Sequence, residues 1–229
     1  ALGVNTPDID FSLAKGGSIS GTVVKDSDNQ PLKNIEVEAY NLTTNEWYYA
    51  DTDQNGLYTI TGLAGGRYRV GVYTYGGDFL SEYYDNTTEY DSATPVVVTQ
   101  GVNTPDIDFS LAKGGSISGT VVRDSDSQPI RDMRVQAYNL DTNTWSDNAF
   151  TDSTGNYTIK GLSGGRHRVQ VYTSGTDLAP EYYNDTADSS SAASVIVNLG
   201  VNTPDIDFSL AIGGSISGTV IRDSDSQPV

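Results

Sequence analysis

The chain has 229 residues, of which 30 are acidic and 13 are basic, and its formal net charge is −17. A surface this acidic repels phosphate backbones and disfavours nucleic acid as a partner. The absence of cysteine excludes disulfides, thiol nucleophiles and zinc–thiolate sites, and no apolar run is long enough to span a membrane. Of the acids, 24 are Asp and 6 are Glu, a bias toward the carboxylate that favours turns.

Seven segments in the first half of the chain alternate apolar and polar residues and are rich in β-branched and aromatic side chains. In chain order they are 18–24, 34–41, 47–52, 57–63, 67–74, 95–100 and 106–112. Turn-forming sequences such as DSDNQP, DQNG and VNTP separate them, and no helical periodicity extends beyond a turn. The pattern predicts an all-β fold, a two-sheet, seven-stranded antiparallel sandwich in which successive strands alternate in direction.

The sequence is a tandem repeat. Gly3–Val24 recurs unchanged at Gly101–Val122 and, with two changes, at Gly200–Ile221, so the repeat is 98 or 99 residues long. A unit of this length matches a whole sandwich domain better than one turn of a solenoid. We assign the chain to the closing strand of a preceding repeat (1–14), repeat 1 (15–113), repeat 2 (114–212) and the opening strand of a following repeat (213–229). We expect a segment of a longer array, and strand exchange between separate short chains is the alternative.

The junction between the repeats, in the sequence FSLAKGGSISG, leaves only about three residues between the predicted closing and opening strands. So short a connection restricts rotation between domains. It also belongs to the stretch that differs least among the copies. We therefore expect the sandwiches to stack end to end as a rod.

Aspartates concentrate in the loops that alternating strand directions place at one end of each domain, at 25–30, 51–56 and 76–92 in the first copy. Clustered carboxylate and amide oxygens suit calcium, a hard cation that takes six to eight oxygen ligands. The calcium candidates are Asp26, Asp28, Asp51, Asp53, Asn55, Asp124, Asp126 and Asp152. DTDQNG resembles the start of a helical calcium loop, but Gly62 stands where that loop requires Glu. Solvated acidic turns are the alternative.

The residues offer no catalytic constellation, and we predict no catalytic residues. His167 is the single histidine, its counterpart in copy one is Tyr68, and we interpret it as an amphipathic strand residue. Four N-x-S/T sequences mark glycosylation candidates at Asn41, Asn86, Asn156 and Asn184.

Aromatic residues are further candidates for binding. The triplet WYY at 47–49 becomes WSD at 145–147, whereas the pair YY at 83–84 recurs at 182–183. For each pair we expect one ring to cover the core and the other to pack on the neighbouring domain. Stacking on a glycan is the alternative.

Two longer stretches carry a resemblance to a known family. GSISGTVVKDSDNQPLKNIEVEAYN and TDQNGLYTITGLAGGRYRV in copy one return as GSISGTVVRDSDSQPIRDMRVQAYN and TDSTGNYTIKGLSGGRHRV in copy two. They resemble the carboxypeptidase regulatory-like domain, and both complete units resemble its tandem form in large microbial surface proteins. The resemblance implies a transthyretin-like or Ig-like sandwich that is usually not catalytic and serves as a stalk, an adhesin spacer or an accessory module.

Related adhesin and pilin sandwiches often carry a Lys–Asn isopeptide bond. In this chain Lys25 is replaced by Arg123 and Arg222 in the other copies, and a guanidinium does not form that link. We therefore expect no intramolecular isopeptide bond, and an intact mass equal to that of the sequence checks this.

The sequence thus predicts a non-enzymatic structural segment of a repetitive extracellular fibre or adhesin stalk at a cell surface. Its expected partners are neighbouring copies of the same repeat, in the same chain or in laterally associated chains. Two alternatives stay open, a module that binds glycans or another surface and an accessory domain of a secreted enzyme. Calcium is the one candidate cofactor.

Overall fold

The computed structural model describes residues 10–224 and residue 227. These residues form β-strands and loops, with one short 3-10 helix at Tyr90–Ser92. They divide into two compact units, one of residues 10–75 and 79–113 and the other of residues 76–78, 114–224 and 227. The predicted closing strand of a preceding repeat, 1–14, lies mostly outside the described residues, and its described part forms no strand.

The first copy, described in full, contains nine strands. They are β1 (Gly17–Lys25), β2 (Glu36–Asn41), β3 (Trp47–Asp51), β4 (Leu57–Leu63), β5 (Gly66–Tyr73), β6 (Glu82–Tyr83), β7 (Val96–Val98), β8 (Asn103–Thr104) and β9 (Phe109–Leu111). All seven predicted strands are present, and the count of seven is corrected to nine by β6 and β8. These two are two residues long, too short to show an alternating pattern in the sequence.

The second copy, also described in full, contains ten strands because the counterpart of β3 is split in two. They are β10 (Gly115–Arg123), β11 (Arg134–Asn139), β12 (Thr144–Trp145), β13 (Ala149–Phe150), β14 (Asn156–Leu162), β15 (Gly165–Tyr172), β16 (Glu181–Tyr182), β17 (Val195–Val197), β18 (Asn202–Thr203) and β19 (Phe208–Leu210). The split coincides with the one residue by which copy two is longer between Trp145 and Thr151.

Each copy is a sandwich of two sheets. In copy one the first sheet has the order β4-β1-β8, with β9 also pairing β1, and the second has the order β3-β2-β5-β6, with β7 also pairing β5. Copy two repeats this arrangement with β14-β10-β18 and β12-β11-β15-β16. The prediction of an all-β sandwich is confirmed.

The closing segment differs from the predicted antiparallel pattern. β8 and β9 pair with β1 in parallel, Ser18 lying opposite Asn103 and Val23 opposite Phe109. In copy two, β18 and β19 pair with β10 in the same way. Strand direction alternates along the chain, so the first and the seventh predicted strands run in the same direction. When these two strands are neighbours in a sheet, they are therefore parallel.

Between β8 and β9 the chain bends at Asp106, whose φ is 62°. Here the backbone of Ile107 comes so near to β1 that a Cβ on Gly21 would lie 2.0 Å from the Ile107 carbonyl oxygen. Asp108 Oδ1 accepts hydrogen bonds from the Thr22 N–H at 2.7 Å and from the Thr22 hydroxyl at 2.8 Å. The carboxylate thus joins the two segments where strand pairing is interrupted, and glycine permits the close approach.

Each copy has its own hydrophobic core between its two sheets. In copy one the inward side chains of β1, β2, β4 and β5 are buried, among them Ile19, Val37, Ile60 and Val70. Burial of one such side chain stabilises a domain by about 1.5–3 kcal/mol. Two complete cores mean that each copy has the packing of a separate domain.

Residues 213–224 repeat the sequence of β1 and β10 but form no strand in this described segment. Ile216 is 103% exposed, whereas its counterparts Ile19 and Ile117 are fully buried. β1 and β10 are each held by a hairpin strand and a closing segment of their own copy, and the described residues offer no such partners to 213–224. The role of 213–229 as the opening strand of a following repeat stays a prediction.

Candidate functional site

The aspartates of the first copy's turns are engaged in hydrogen bonds to their own loops. Asp53 Oδ1 accepts the backbone N–H groups of Asn55 at 2.8 Å and of Leu57 at 2.9 Å. Asp28 Oδ1 accepts the N–H of Gln30 at 3.0 Å. Such bonds from a side chain to the backbone two residues on define Asx turns, which accounts for the preference for Asp over Glu.

The second copy uses its turn aspartates in the same way. Asp152 Oδ1 accepts the N–H groups of Thr154 at 2.8 Å and of Asn156 at 3.0 Å. Bonds from the Thr154 hydroxyl, the Thr154 N–H and the Asn156 N–H hold the pKa of Asp152 below its usual range. Asp126 Oδ1 accepts the N–H of Gln128 at 3.2 Å.

The calcium candidates are not brought together as one cluster. Asp51 ends β3 opposite Glu36, whereas Asp26 follows β1 in the other sheet and Asp124 follows β10. In the described part of the chain no three Asp, Glu or His side chains converge as metal ligands. Calcium binding stays a prediction, which a melting curve with and without added calcium tests, because a ligand of the native state alone raises the melting temperature.

The four glycosylation candidates differ in accessibility. Asn86, Asn156 and Asn184 are exposed. Asn41 is 2% exposed, and its Oδ1 accepts the N–H groups of Thr43 at 2.8 Å and Thr44 at 3.1 Å. The prediction is corrected at Asn41, because its buried side chain completes a turn and leaves no room for a glycan in the folded domain.

His167 lies on β15, an amphipathic strand as the sequence predicted, and its side chain is on the buried face of that strand. It is 1% exposed, like its counterpart Tyr68 at 0%. Its Nδ1 lies 3.3 Å from the carbonyl oxygen of Gly165, and burial lowers its pKa. The side chain therefore serves packing.

The feature that sequence reasoning missed is a glutamate in each copy that is half-buried and whose Oε1 is fully buried. Glu82 lies opposite Val72 on β5, so its side chain points between the sheets, and its Oε1 is buried with no hydrogen-bond partner. Burial raises the pKa of Glu82 to about 7. A hydrogen bond from the backbone of Ser110 opposes this rise, and the charge of Asp26 adds to it.

Glu181 repeats this arrangement in copy two. It lies opposite Val171, its Oε1 is buried without a partner, and burial raises its pKa to about 7. The charges of Asp185 and Asp124 add to the rise, while a backbone hydrogen bond from Ser209 opposes it. The only signal in the sequence is the recurrence of EYY at equivalent positions.

The second surface of interest is the outer face of copy one, defined as the side chains that β2, β3, β5 and β6 turn away from the core. Its aromatic members are Tyr40, Trp47, Tyr49, Tyr73 and Tyr83. Trp47 is 50% exposed and Tyr49 is 73% exposed. Tyr75 follows β5, stacks on Tyr73 with ring centroids 5.9 Å apart and donates to Glu38 Oε1 at 2.9 Å.

The outer face of copy two consists of the corresponding side chains of β11, β12, β13, β15 and β16. Its aromatic members are Tyr138, Trp145, Phe150, Tyr172 and Tyr182. Trp145 is 48% exposed and Phe150 is 59% exposed. The Arg134 guanidinium lies 3.8 Å above the centre of the Tyr172 ring, a cation–π contact.

The tyrosine pairs divide between core and surface. Tyr84 packs against the core, with its ring centroid 6.4 Å from that of Phe109, as predicted for one ring of the pair. Tyr83 lies on the outer face of its own sheet, over Gly71, with its hydroxyl 2.8 Å from that of Tyr73. These contacts of Tyr83 lie within its own copy, and the predicted packing of the second ring on a neighbouring domain stays a prediction.

The protein is therefore a tandem of β-sandwich domains. Aspartate side chains hydrogen-bond the backbone of its turns, and its one histidine is buried. The chain belongs to the carboxypeptidase regulatory-like domain family, whose profile matches residues 18–112 and again 116–210. This agrees with the resemblance found in the sequence.

Among solved structures, the chain is similar to the TIE protein of Bacillus anthracis, with 14% identity and a TM-score of 0.36 over 86% of this chain and 34% of that one. It thus spans about a third of that longer protein. It is also similar to GBS52, the minor pilin of Streptococcus agalactiae, with 11% identity and a TM-score of 0.42 over 89% and 99% of the two chains. It is similar as well to the shaft pilin SpaA of Lactobacillus rhamnosus GG, with 9% identity and a TM-score of 0.37 over 90% and 100% of the two chains.

No curated protein matches the chain significantly. A helix long and apolar enough to cross a membrane is absent from the part of the chain that the structure describes.

Proposed function

We propose that this chain is a non-enzymatic structural segment of an extracellular fibre or adhesin stalk at a cell surface. The observation that carries the proposal is the parallel pairing of the first and last strands of each copy, β1 with β9 and β10 with β19. In a repeat array, the chain enters a domain at the first strand and leaves it at the last. Tension along the array therefore acts on these two strands.

Parallel neighbours respond to such tension by shear. Force applied at the start of β1 and at the end of β9 pulls the strands past each other, so their hydrogen bonds are loaded together. In an antiparallel hairpin pulled at its open end, by contrast, the bonds break one at a time. The bonds between Asp108 and Thr22 lie on the same line of force and add to the resistance.

The connection to the following copy supports the same role. Only residues 112–114 separate β9 from β10, and the Leu80 N–H donates to the Ala112 carbonyl oxygen at 2.9 Å. In copy two the Ala179 N–H donates to the carbonyl oxygen of Ala211 at 2.9 Å. The connecting backbone is thus tied to a loop of its own copy and is no free tether.

Single-molecule stretching of the whole chain tests the proposal, and the lack of native cysteine allows handles at chosen positions. Ala14→Cys with Lys113→Cys loads copy one in shear between β1 and β9. Ala14→Cys with Ala64→Cys loads the same copy by unzipping β1 from β4, because Gly17 pairs with Leu63. We expect a higher unfolding force in the first geometry.

Asp108→Ala sharpens this test. Without the carboxylate the two bonds to Thr22 are lost, so the unfolding force should fall in the shear geometry and change little in the unzipping geometry. Equal forces in the two geometries would count against a tension-resisting role. The end-to-end rod expected from the short junction stays a prediction, which small-angle scattering of the chain checks against a variant with a flexible insertion after Lys113.

A further inference from the structure

The two outer faces share an aromatic frame and differ in charge. Both carry tyrosine at corresponding positions of β2 and β11 and of β5 and β15, and both carry an exposed tryptophan on the edge strand. The frame therefore offers apolar contact area on either copy. At three further corresponding positions copy one has Glu36, Glu38 and Asp51, and copy two has Arg134, Gln136 and Phe150.

The largest charge difference lies in β2 and β3 against β11 and β13. β5 carries Arg67 and Arg69, and β15 carries Arg166 and Arg168 at the matching positions, where Arg166 is paired with Asp141 at 2.8 Å. On β2 and β3 three carboxylates stand where β11 and β13 have one guanidinium and no acid. The strands of copy two thus present a basic aromatic face on a chain whose net charge is −17.

We propose that the outer face of copy one docks on the outer face of copy two of a second copy of this chain. The carboxylates of one face then meet Arg134 of the other, and the exposed tryptophans are covered, as two sheets pack face to face about 10 Å apart. A chain this acidic repels other copies of itself except where a basic face is available. The same chain supplies both members of the complementary pair.

The contact is heterologous, since two different surfaces meet. A pair of chains keeps one unused face of each kind, one on each chain, so further chains can add to it. The proposal goes beyond a role within one chain by naming the partner and the surface. It does not depend on the resistance of β1 and β9 to shear, so either idea can fail without the other.

Charge reversal at two positions tests the docking without disturbing the fold. Glu36 lies opposite Tyr73 on β5, and Arg134 lies opposite Tyr172 on β15. Glu36→Arg therefore installs in copy one the arrangement that copy two already has, and Arg134→Glu does the reverse. Each variant should fold, which its far-ultraviolet circular dichroism and melting curve verify.

Sedimentation velocity of the whole chain over a range of concentrations is the measurement. We expect the wild type to associate reversibly at low ionic strength and to dissociate at high ionic strength. Glu36→Arg and Arg134→Glu each place like charges where the two faces meet, so each variant alone should associate at least about tenfold more weakly than the wild type. A one-to-one mixture of the two variants should associate again.

If the net charge of the chain alone controlled association, the two variants would behave differently from each other. Glu36→Arg reduces the negative charge of the chain and Arg134→Glu increases it, so general repulsion would strengthen association in the first variant and weaken it in the second. Docking weakens both. Arg123→Glu, with the same charge change as Arg134→Glu but on β10 of the opposite sheet, should associate like the wild type.

Three results would overturn the proposal. They are a wild type that stays monomeric at every concentration, single variants that associate as the wild type does, and a mixture that behaves as the sum of its parts. If a monomeric wild type changes its tryptophan fluorescence on addition of cellohexaose, the outer faces bind carbohydrate and not a second chain.

Discussion

The buried glutamates make the stability of each copy depend on pH. The pKa of Glu82 is about 7 in the folded chain and its ordinary value is 4.5, so between these values the folded state holds a proton that the unfolded state has lost. The resulting stability is fully present below pH 4.5 and is lost as the pH rises through 7. Because its Oε1 is buried and unpartnered, the ionised carboxylate is the destabilising form.

We expect Glu82→Gln to remove this dependence, because the amide keeps the shape of the protonated acid and carries no charge. At pH 8 the variant should be more stable than the wild type by about 1–2 kcal/mol, a figure reduced for partial exposure. Melting curves at a series of pH values measure it. Glu89→Gln, an exposed position, should keep the wild-type profile, and an unchanged slope in Glu82→Gln would contradict the assignment.

His167 has the opposite effect on the pH dependence of copy two. Its pKa lies below the ordinary 6.5 because of burial, so the unfolded state binds the proton more readily and stability is lost as the pH falls below 6.5. We expect His167→Tyr to remove this loss, since Tyr68 fills the same place in copy one and donates to the Ala64 carbonyl oxygen at 2.9 Å.

Urea unfolding at neutral and at mildly acid pH measures this change, and the variant should keep in the acid the stability that the wild type loses. The reciprocal substitution Tyr68→His should transfer the acid sensitivity to copy one. If copy two of His167→Tyr loses as much stability on acidification as copy two of the wild type, another group is responsible.

At the scale of the strands, the closing segment depends on Gly21. A Cβ there would meet the carbonyl oxygen of Ile107 at 2.0 Å, and this oxygen also accepts the Tyr58 hydroxyl at 2.6 Å. We expect Gly21→Ala to destabilise copy one by about 2–4 kcal/mol, because the clash is with backbone that pairs β8 and β9 to β1. Chemical denaturation measures the change.

Gly119 has the same surroundings in copy two, with a Cβ 2.0 Å from the Ile206 carbonyl oxygen, so Gly119→Ala should have the same effect there. Gly218 occupies the same place in the third occurrence of the sequence and has nothing within 4 Å of a built Cβ. Gly218→Ala is therefore the matched control and should leave both copies unchanged. A loss of stability in Gly218→Ala as large as in the other two variants would contradict the explanation by close approach.

The strands were predictable because their signal is local. β4 appears with its predicted bounds of 57–63, since alternation and the flanking glycines are read directly from the sequence. The partners of the closing segment were not predictable, because Asp108 and Thr22 are far apart in the chain and meet only when the sandwich closes. The buried glutamates were missed for the same reason, since the two-residue strand that turns Glu82 inward shows no pattern of its own.

The candidate sites were also predictable only where their signal is local in the sequence. Sequence alone explained why aspartates gather in turns, and the Asx geometry of Asp53 and Asp152 agrees. It also placed Asn41 among surface candidates, because an N-x-T sequence carries no information on burial. The contrast between the two outer faces became visible only when the register joined Glu36 to Tyr73 and Arg134 to Tyr172.

At the scale of the whole chain, the two copies share the same fold and differ in individual side chains. Both contain a buried glutamate whose pKa is about 7, and both have their own core. Copy two alone adds a buried histidine. The copies should therefore unfold in separate transitions whose separation depends on pH.

We expect acidification from pH 7 to about pH 5 to raise the melting temperature of copy one more than that of copy two. In both copies the buried glutamate gains its proton and stabilises the fold, but in copy two the loss due to His167 offsets that gain. Calorimetry of the whole chain measures the two transitions, and Gly21→Ala and Gly119→Ala assign them by lowering one each. His167→Tyr should make the two copies respond alike, and equal shifts in the wild type would contradict the different roles given to the two buried groups.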